Sequence, residues 1–219
     1  MRNLGQLLQH GHPHPDTEGV TIAHPRGYEL CGAVCFGGLR PWAYSRLARL
    51  SGARPGDRVL DVGCGTGYLT RRMAKAVGPT GAALGIDPAT EVVEYARGRT
   101  REAHCSYETG VGEALSAADG SFDVVVSCLA VHHLPEDLRP AALREMYRVL
   151  RPGGRLLVAD FRAPRTRPVR HVIAATTGHV MADYRVDLLD GLIADAGFEV
   201  RGCGDVRPWL RYVQGVRPE

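Results

Sequence analysis

The chain has 219 residues, 44% of them hydrophobic and 23% charged, and a net charge of +3 with its nine histidines counted as neutral. Such proportions exclude a disordered or fibrous chain, and the mild positive balance gives no ground for nucleic-acid binding. Its six cysteines have neither disulfide-framework nor zinc-knuckle spacing, and no apolar run reaches signal-region or membrane-spanning character, so a cytoplasmic protein with no membrane partner is expected.

Residues 1–19, with "HGHPHPDTEG", show no apolar period and are expected to form a flexible arm, His10, His12 and His14 included. Over 20–50 the residues Leu30, Val34, Phe36, Leu39, Trp42, Leu47 and Leu50 suggest helical pieces broken at "GGLRP", a cover for the main domain. That domain is expected over 51–219, entered through the turn "ARPGD". Strand-like runs occur at "RVLDV", "AALGID", "HCSYETG", "FDVVVSCLA", "RLLVAD", "FEVRGCG" and "WLRYVQGV". Most are separated by helix-like runs: "GYLTRRMAKAV", "ATEVVEYARGRT", "EDLRPAALREMYRVL" and "VDLLDGLIADAG". In the third of these, Leu138, Ala142, Met146, Tyr147 and Leu150 share a face, and "RPGG" ends the helix. Alternation of this kind predicts an α/β fold with a parallel sheet covered on both faces. The last two strands have no helix between them and should pair antiparallel at one edge. An insertion at about 162–185 carries Arg162, Arg165, Arg167 and Arg170 near its start and should build on the ligand site. Tyr28, Phe36, His171 and His179 are weaker candidates for lining an acceptor pocket.

Gly63, Gly65 and Gly67 stand between the first strand and the first helix of this series, where a backbone free of Cβ atoms can approach a ligand. A dinucleotide fingerprint would place glycine where Tyr68 stands, and a phosphate loop needs a GK[ST] that is missing. Asp61, two residues before Gly63, would repel an anion and suits a cation. Asp87 ends the second strand, where a carboxylate can accept both hydroxyls of a ribose. Glu113, after the third strand, can meet the exocyclic amine of an adenine. Together these residues describe a nucleoside with a cationic tail.

"VLDVGCGTGYLT", "GIDPAT", "GEALSAADGSFDVVVSCLAVHHL" and "MYRVLRPGGRLLVADF" resemble the successive motifs of class I S-adenosylmethionine-dependent methyltransferases, over Arg58 to Phe161. The resemblance implies a Rossmann-like seven-stranded sheet in the order 3-2-1-4-5-7-6 with strand 7 antiparallel. It also implies S-adenosylmethionine as cofactor. Asp61 and the loop Gly63, Cys64, Gly65 and Gly67 would face its methionine part, Asp87 with Pro88 the ribose, Glu113 with Ala114 the adenine, and Ser127 its amino group. Glu113 departs from the Asp more usual at that position. Cys64 and Cys128 are read as small packing residues.

The methyl donor is already activated, so the protein must position a nucleophile and, for an oxygen or nitrogen acceptor, accept a proton. His132 resembles the base of some natural-product O-methyltransferases, with Asp160 as its acidic companion and His133 as the weaker choice. The expected activity is methyl transfer to a small-molecule acceptor, at oxygen, by a monomer or homodimer that holds no metal. The alternatives are C-methylation of a quinone-like ring and a methyltransferase-like protein that binds the cofactor without catalysis. Arsenic methylation has only Cys31 and Cys35, one helical turn apart, in its favour.

Overall fold

The computed structural model describes residues 25–162 and 185–219, so the expected arm over 1–19 and nearly all of the expected insertion, with His171 and His179, lie outside the described residues. Two helices come first, α1 (Pro25–Cys35) and α2 (Arg40–Leu50). The alternation then runs β1 (Arg58–Val62), α3 (Thr70–Val77), β2 (Ala82–Asp87), α4 (Thr90–Gly98), β3 (Cys105–Thr109) and β4 (Phe122–Cys128). It closes with α5 (Arg139–Val149), β5 (Leu150–Phe161), α6 (Leu189–Asp195), β6 (Glu199–Val206) and β7 (Leu210–Val216).

The seven strands form one sheet in the order β3-β2-β1-β4-β5-β7-β6, as the resemblance implied. All neighbours from β3 to β5 run parallel, while β7 is antiparallel to both β5 and β6. The absence of a helix between β6 and β7 decides this, since a short hairpin can join only antiparallel strands. Strand order reverses between β1 and β4, and the crevice outside their carboxyl ends is where such sheets bind ligands.

The period-2 alternation of the strands sorts the core into two layers. Val59, Val124, Val126, Leu157 and Ala159 pack under α2, α3 and α4 with Leu47, Met73 and Val93. Their neighbours Leu60, Val125, Leu156 and Val158 face the other way, against Leu143 and Met146 of α5 and Leu189 and Ile193 of α6.

Three expectations need correction. Of the apolar residues expected to cover the domain over 20–50, Leu30, Val34, Leu39 and Trp42 are exposed, whereas Phe36 and Leu47 do pack on it, together with Ala43, Tyr44 and Ala48. On α5 the buried stripe is Ala142, Leu143, Met146 and Val149; Tyr147 instead stands edge-on to Phe198 at 5.1 Å. "RPGG" does end α5, but β5 starts at once, because Leu150 already pairs with Phe122 ahead of a register shift.

Candidate active site

A cavity opens at the switch point, floored by the loop after β1 and walled by the ends of β2 and β4 and by α1 and α2. Backbone bonds fix the loop: the N–H groups of Gly63 and Cys64 both donate to the Ile86 carbonyl, at 2.8 and 3.0 Å. Gly63 has φ 71°, and a Cβ there would lie 2.3 Å from the Cβ of Ala130. Gly63→Val is therefore expected to combine left-handed strain with overpacking, at about 3 kcal/mol. The measurable result is a melting temperature lower by about 10 °C, with Gly98→Ala, where a Cβ meets nothing within 4 Å, melting like the wild type.

Of the residues expected to hold the cofactor, Asp61, Gly63, Cys64, Gly65, Asp87, Pro88, Glu113 and Ser127 line this cavity. Gly67 and Ala114 are not among the lining residues. Gly67 instead leaves room for the Tyr107 ring, which a Cβ would strike, and Ala114 is exposed. Asp87 accepts the Gly65 N–H at 2.9 Å and the Ala89 N–H at 3.0 Å, tying the glycine loop to the end of β2. Burial still holds its carboxyl above the ordinary value. Asp61 is buried more deeply and accepts the Thr70 hydroxyl at 2.6 Å. Its pKa is raised to about 7, by burial first and also by the neighbouring charge of Asp87. Ser127 donates to the Val62 carbonyl at 2.9 Å, bracing β4 on β1 beneath the cavity. Burial pushes the Cys64 and Cys128 thiols up, which keeps both protonated and suits packing.

Other lining residues escaped the sequence reading. Arg40, only 5% exposed, reaches the cavity from α2 with its guanidinium 3.9 Å above the Tyr68 ring. It donates to both carboxylate oxygens of Glu29 at 3.0 Å, and the Thr66 hydroxyl of the glycine loop donates to the same carboxylate. Burial works against that charge, but the bonds from Thr66 and Arg40 hold the Glu29 pKa below its usual value. This contact seats α1 over the glycine loop, and Tyr28, which the sequence did offer as a lining candidate, completes an aromatic wall with Tyr44. The hydroxyl inside "CGTG" was the available signal for Thr66. Arg40 left none, because it comes from a separate helix.

The sequence placed His132 beside Asp160, and the fold brings them together: Nδ1 of His132 lies 2.5 Å from Oδ1 of Asp160, and its backbone N–H donates to Oδ2 at 3.0 Å. Both are buried, at 3% and 0% exposure, and neither lines the cavity. The cavity wall is His133, whose ring stacks on that of His132 at 4.0 Å. Burial, then the charge of His132, lowers the His133 pKa well below the ordinary value, so its imidazole is neutral. Among the described residues no three His, Cys, Asp or Glu side chains converge as they would on a metal ion, and no helix is long and apolar enough to cross a membrane.

A glycine-lined crevice at the switch point of an open α/β sheet, with buried carboxylates on β1 and at the end of β2, defines a Rossmann-like nucleoside-binding protein. Comparison with known proteins narrows the class. Residues 59–154 match the family described as "Methyltransferase domain". A ubiquinone/menaquinone biosynthesis C-methyltransferase, UbiE, of Vibrio parahaemolyticus is 31% identical over 199 residues, 78% of this chain and 76% of that protein. Its counterpart in Ectopseudomonas mendocina is 39% identical over 142 residues, 63% of this chain and 54% of its own. A SAM-dependent methyltransferase of Aquifex aeolicus shares the fold at a TM-score of 0.70 and 21% identity, over 82% of this chain and 92% of that one. The chain belongs to the class I S-adenosylmethionine-dependent methyltransferases, with S-adenosylmethionine as its cofactor. The cavity fits that cofactor independently of the comparisons: Oε2 of Glu113 is buried with no hydrogen-bond partner among the described residues, as an acceptor awaiting an adenine amine would be.

Proposed function

We propose that this methyltransferase acts on a ring carbon of a small hydroxylated, quinone-like acceptor, with α1 and α2 as the cover of the acceptor site. S-adenosylmethionine supplies a methyl group already activated on a sulfonium sulfur. The protein's part is to orient the two partners in line and to handle the displaced proton. In this reading Asp87 holds the ribose, Glu113 the adenine, and Asp61 faces the ammonium.

The observation that carries the choice of carbon is the similarity, across most of both chains, to a protein named for C-methylation in quinone biosynthesis. The aromatic wall of Tyr28, Tyr44 and Tyr68 supports a flat ring as acceptor. Transfer to oxygen, the main expectation from the sequence, relied on His132 standing in the site, and His132 instead lies behind the wall.

Incubation with ¹³C-methyl-labelled S-adenosylmethionine and 1,4-naphthoquinol, kept reduced, separates the readings by product NMR. An aryl methyl signal is the expected result. An aryl methoxy signal would move the assignment to oxygen, and tight cofactor binding with neither product would favour a non-catalytic cofactor-binding protein.

A further inference from the structure

We infer that His133 takes the hydrogen bond of the acceptor's hydroxyl group, and that His132 with Asp160 acts through it as a positioning pair. The inference rests on the proposed reading of the acceptor as a hydroxylated ring.

Three observations carry it. His133 belongs to the cavity wall, whereas His132 and Asp160 do not. The Nδ1 of His133 is buried and meets no hydrogen-bond partner among the described residues, although buried polar atoms are nearly always paired. Behind it, Asp160 accepts the His132 ring N–H, the His132 backbone N–H and, at 2.7 Å, the Phe161 N–H. One carboxylate thereby fixes the turn Val131–His133 and the His132 ring, on which the His133 ring lies tilted by 40°. The turn is entered through Leu129, the only non-glycine among the described residues at positive φ, 57°. Strain of that kind next to a cavity marks a segment held in place for use.

The chemistry requires only a neutral imidazole. As the new carbon–carbon bond forms, the S–CH₃ bonding pair stays on sulfur and positive charge enters the acceptor ring, so the acceptor O–H becomes strongly acidic. That proton passes to His133. It returns to the oxygen as the ring C–H proton leaves to solvent, restoring aromaticity with one proton released overall. A base weaker than ordinary histidine suffices against so acidic a hydroxyl, provided that it is unprotonated beforehand.

Behind His133 are His132 on its own turn and Asp160 at the end of β5, and the titratable and charged groups that line the cavity with it from the helices are Tyr28 of α1 and Arg40 and Tyr44 of α2. Asp61, Asp87, Glu113 and Cys128 stand around the rest of the cavity. Of all these, His132 is the group that shifts His133, downward and second to burial.

The test has an arm that needs no acceptor. NMR of the ¹³C-histidine-labelled protein should show a His133 ring that stays neutral well below the usual histidine midpoint. In His132→Phe, which keeps an aromatic face and removes the charge, its midpoint should rise by about one pH unit. A His133 that titrates in the ordinary range, or that His132→Phe leaves unmoved, would overturn the proposal. In single turnover with 1,4-naphthoquinol, His133→Ala should lower the rate about 10²- to 10⁴-fold while S-adenosylhomocysteine affinity is retained. His132→Phe should cost less, and the double variant no more than His133→Ala alone, as for a residue acting through another. The opposite ranking would place the chemistry on His132. A wild type that methylates no hydroxylated ring removes the acceptor reading, and the titration alone then decides for or against His133.

Discussion

Asp87→Ala is expected to weaken binding of S-adenosylhomocysteine about a hundredfold. The carboxylate makes two charge-assisted bonds, to the N–H groups of Gly65 and Ala89, and so holds the glycine loop against β2. Its remaining lone pairs are those proposed for the ribose hydroxyls. Bonds to a charged group contribute about 1.5–3 kcal/mol each, so a net loss near 3 kcal/mol, about two orders of magnitude in Kd, is a restrained figure. The loss should be equally large for 5′-methylthioadenosine, which keeps the ribose and lacks the amino-acid tail. Titration calorimetry reads both. A variant that melts like the wild type and binds either ligand within about threefold of wild-type affinity would falsify this role for Asp87.

Asp61 should show itself through pH. Its pKa is raised to about 7, by burial first and then by Asp87, against the pull of the Thr70 hydroxyl. A neighbouring ligand ammonium favours the carboxylate, so the bound-state pKa is lower and binding expels a proton wherever the pH lies between the two values. Affinity for S-adenosylhomocysteine should accordingly rise with pH, by up to about tenfold per unit, and level off above about 7. For folding the sign is opposite. A carboxyl whose pKa is raised in the folded state stabilises the fold below its unfolded pKa, and that contribution is lost as pH rises through the folded value. The free protein should therefore lose melting temperature between about pH 4 and 7, and the ligand should recover most of it. Calorimetry in buffers of different ionisation enthalpy counts the proton released. In Asp61→Asn both the proton release and the slope should vanish, and 5′-methylthioadenosine should show neither even with the wild type. An affinity that is flat from pH 5.5 to 8 would remove the ammonium from beside Asp61.

Residues at the ends of parallel strands, and in the loops just after them, were legible because chain direction alone carries them to the carboxyl edge of the sheet. That is why Asp61, Gly63, Asp87 and Ser127, scattered along the chain, could be assigned to one crevice, and the structure lines a single cavity with them. Gly67 was grouped with them on spacing. Its real neighbour is Tyr107, from a strand two places away, and no local pattern announces that contact. The buried faces of α2 and α5 were read only in part, with Leu47, Ala142 and Met146 placed rightly and Trp42 and Tyr147 not, for a related reason: apolar residues at helical spacing show that a face exists, and the partner surface selects which residues belong to it.

The α/β sheet, its strand order and the carboxylates of the nucleoside crevice could all be read from the amino-acid order. Strand-and-helix periodicity and the missing last helix are local properties of the chain, the parallel topology comes from them, and the motif resemblance supplied the order of the strands. What covers the crevice, and which histidine enters it, depended on contacts between distant segments. Arg40, Glu29 and Thr66 meet across three separate stretches, so no spacing in the sequence records their contact. His132 and His133 are adjacent and alike, and in a three-residue turn successive side chains point about 120° apart. Asp160, from the end of β5, captures the first of them, and that long-range bond leaves the second in the cavity wall.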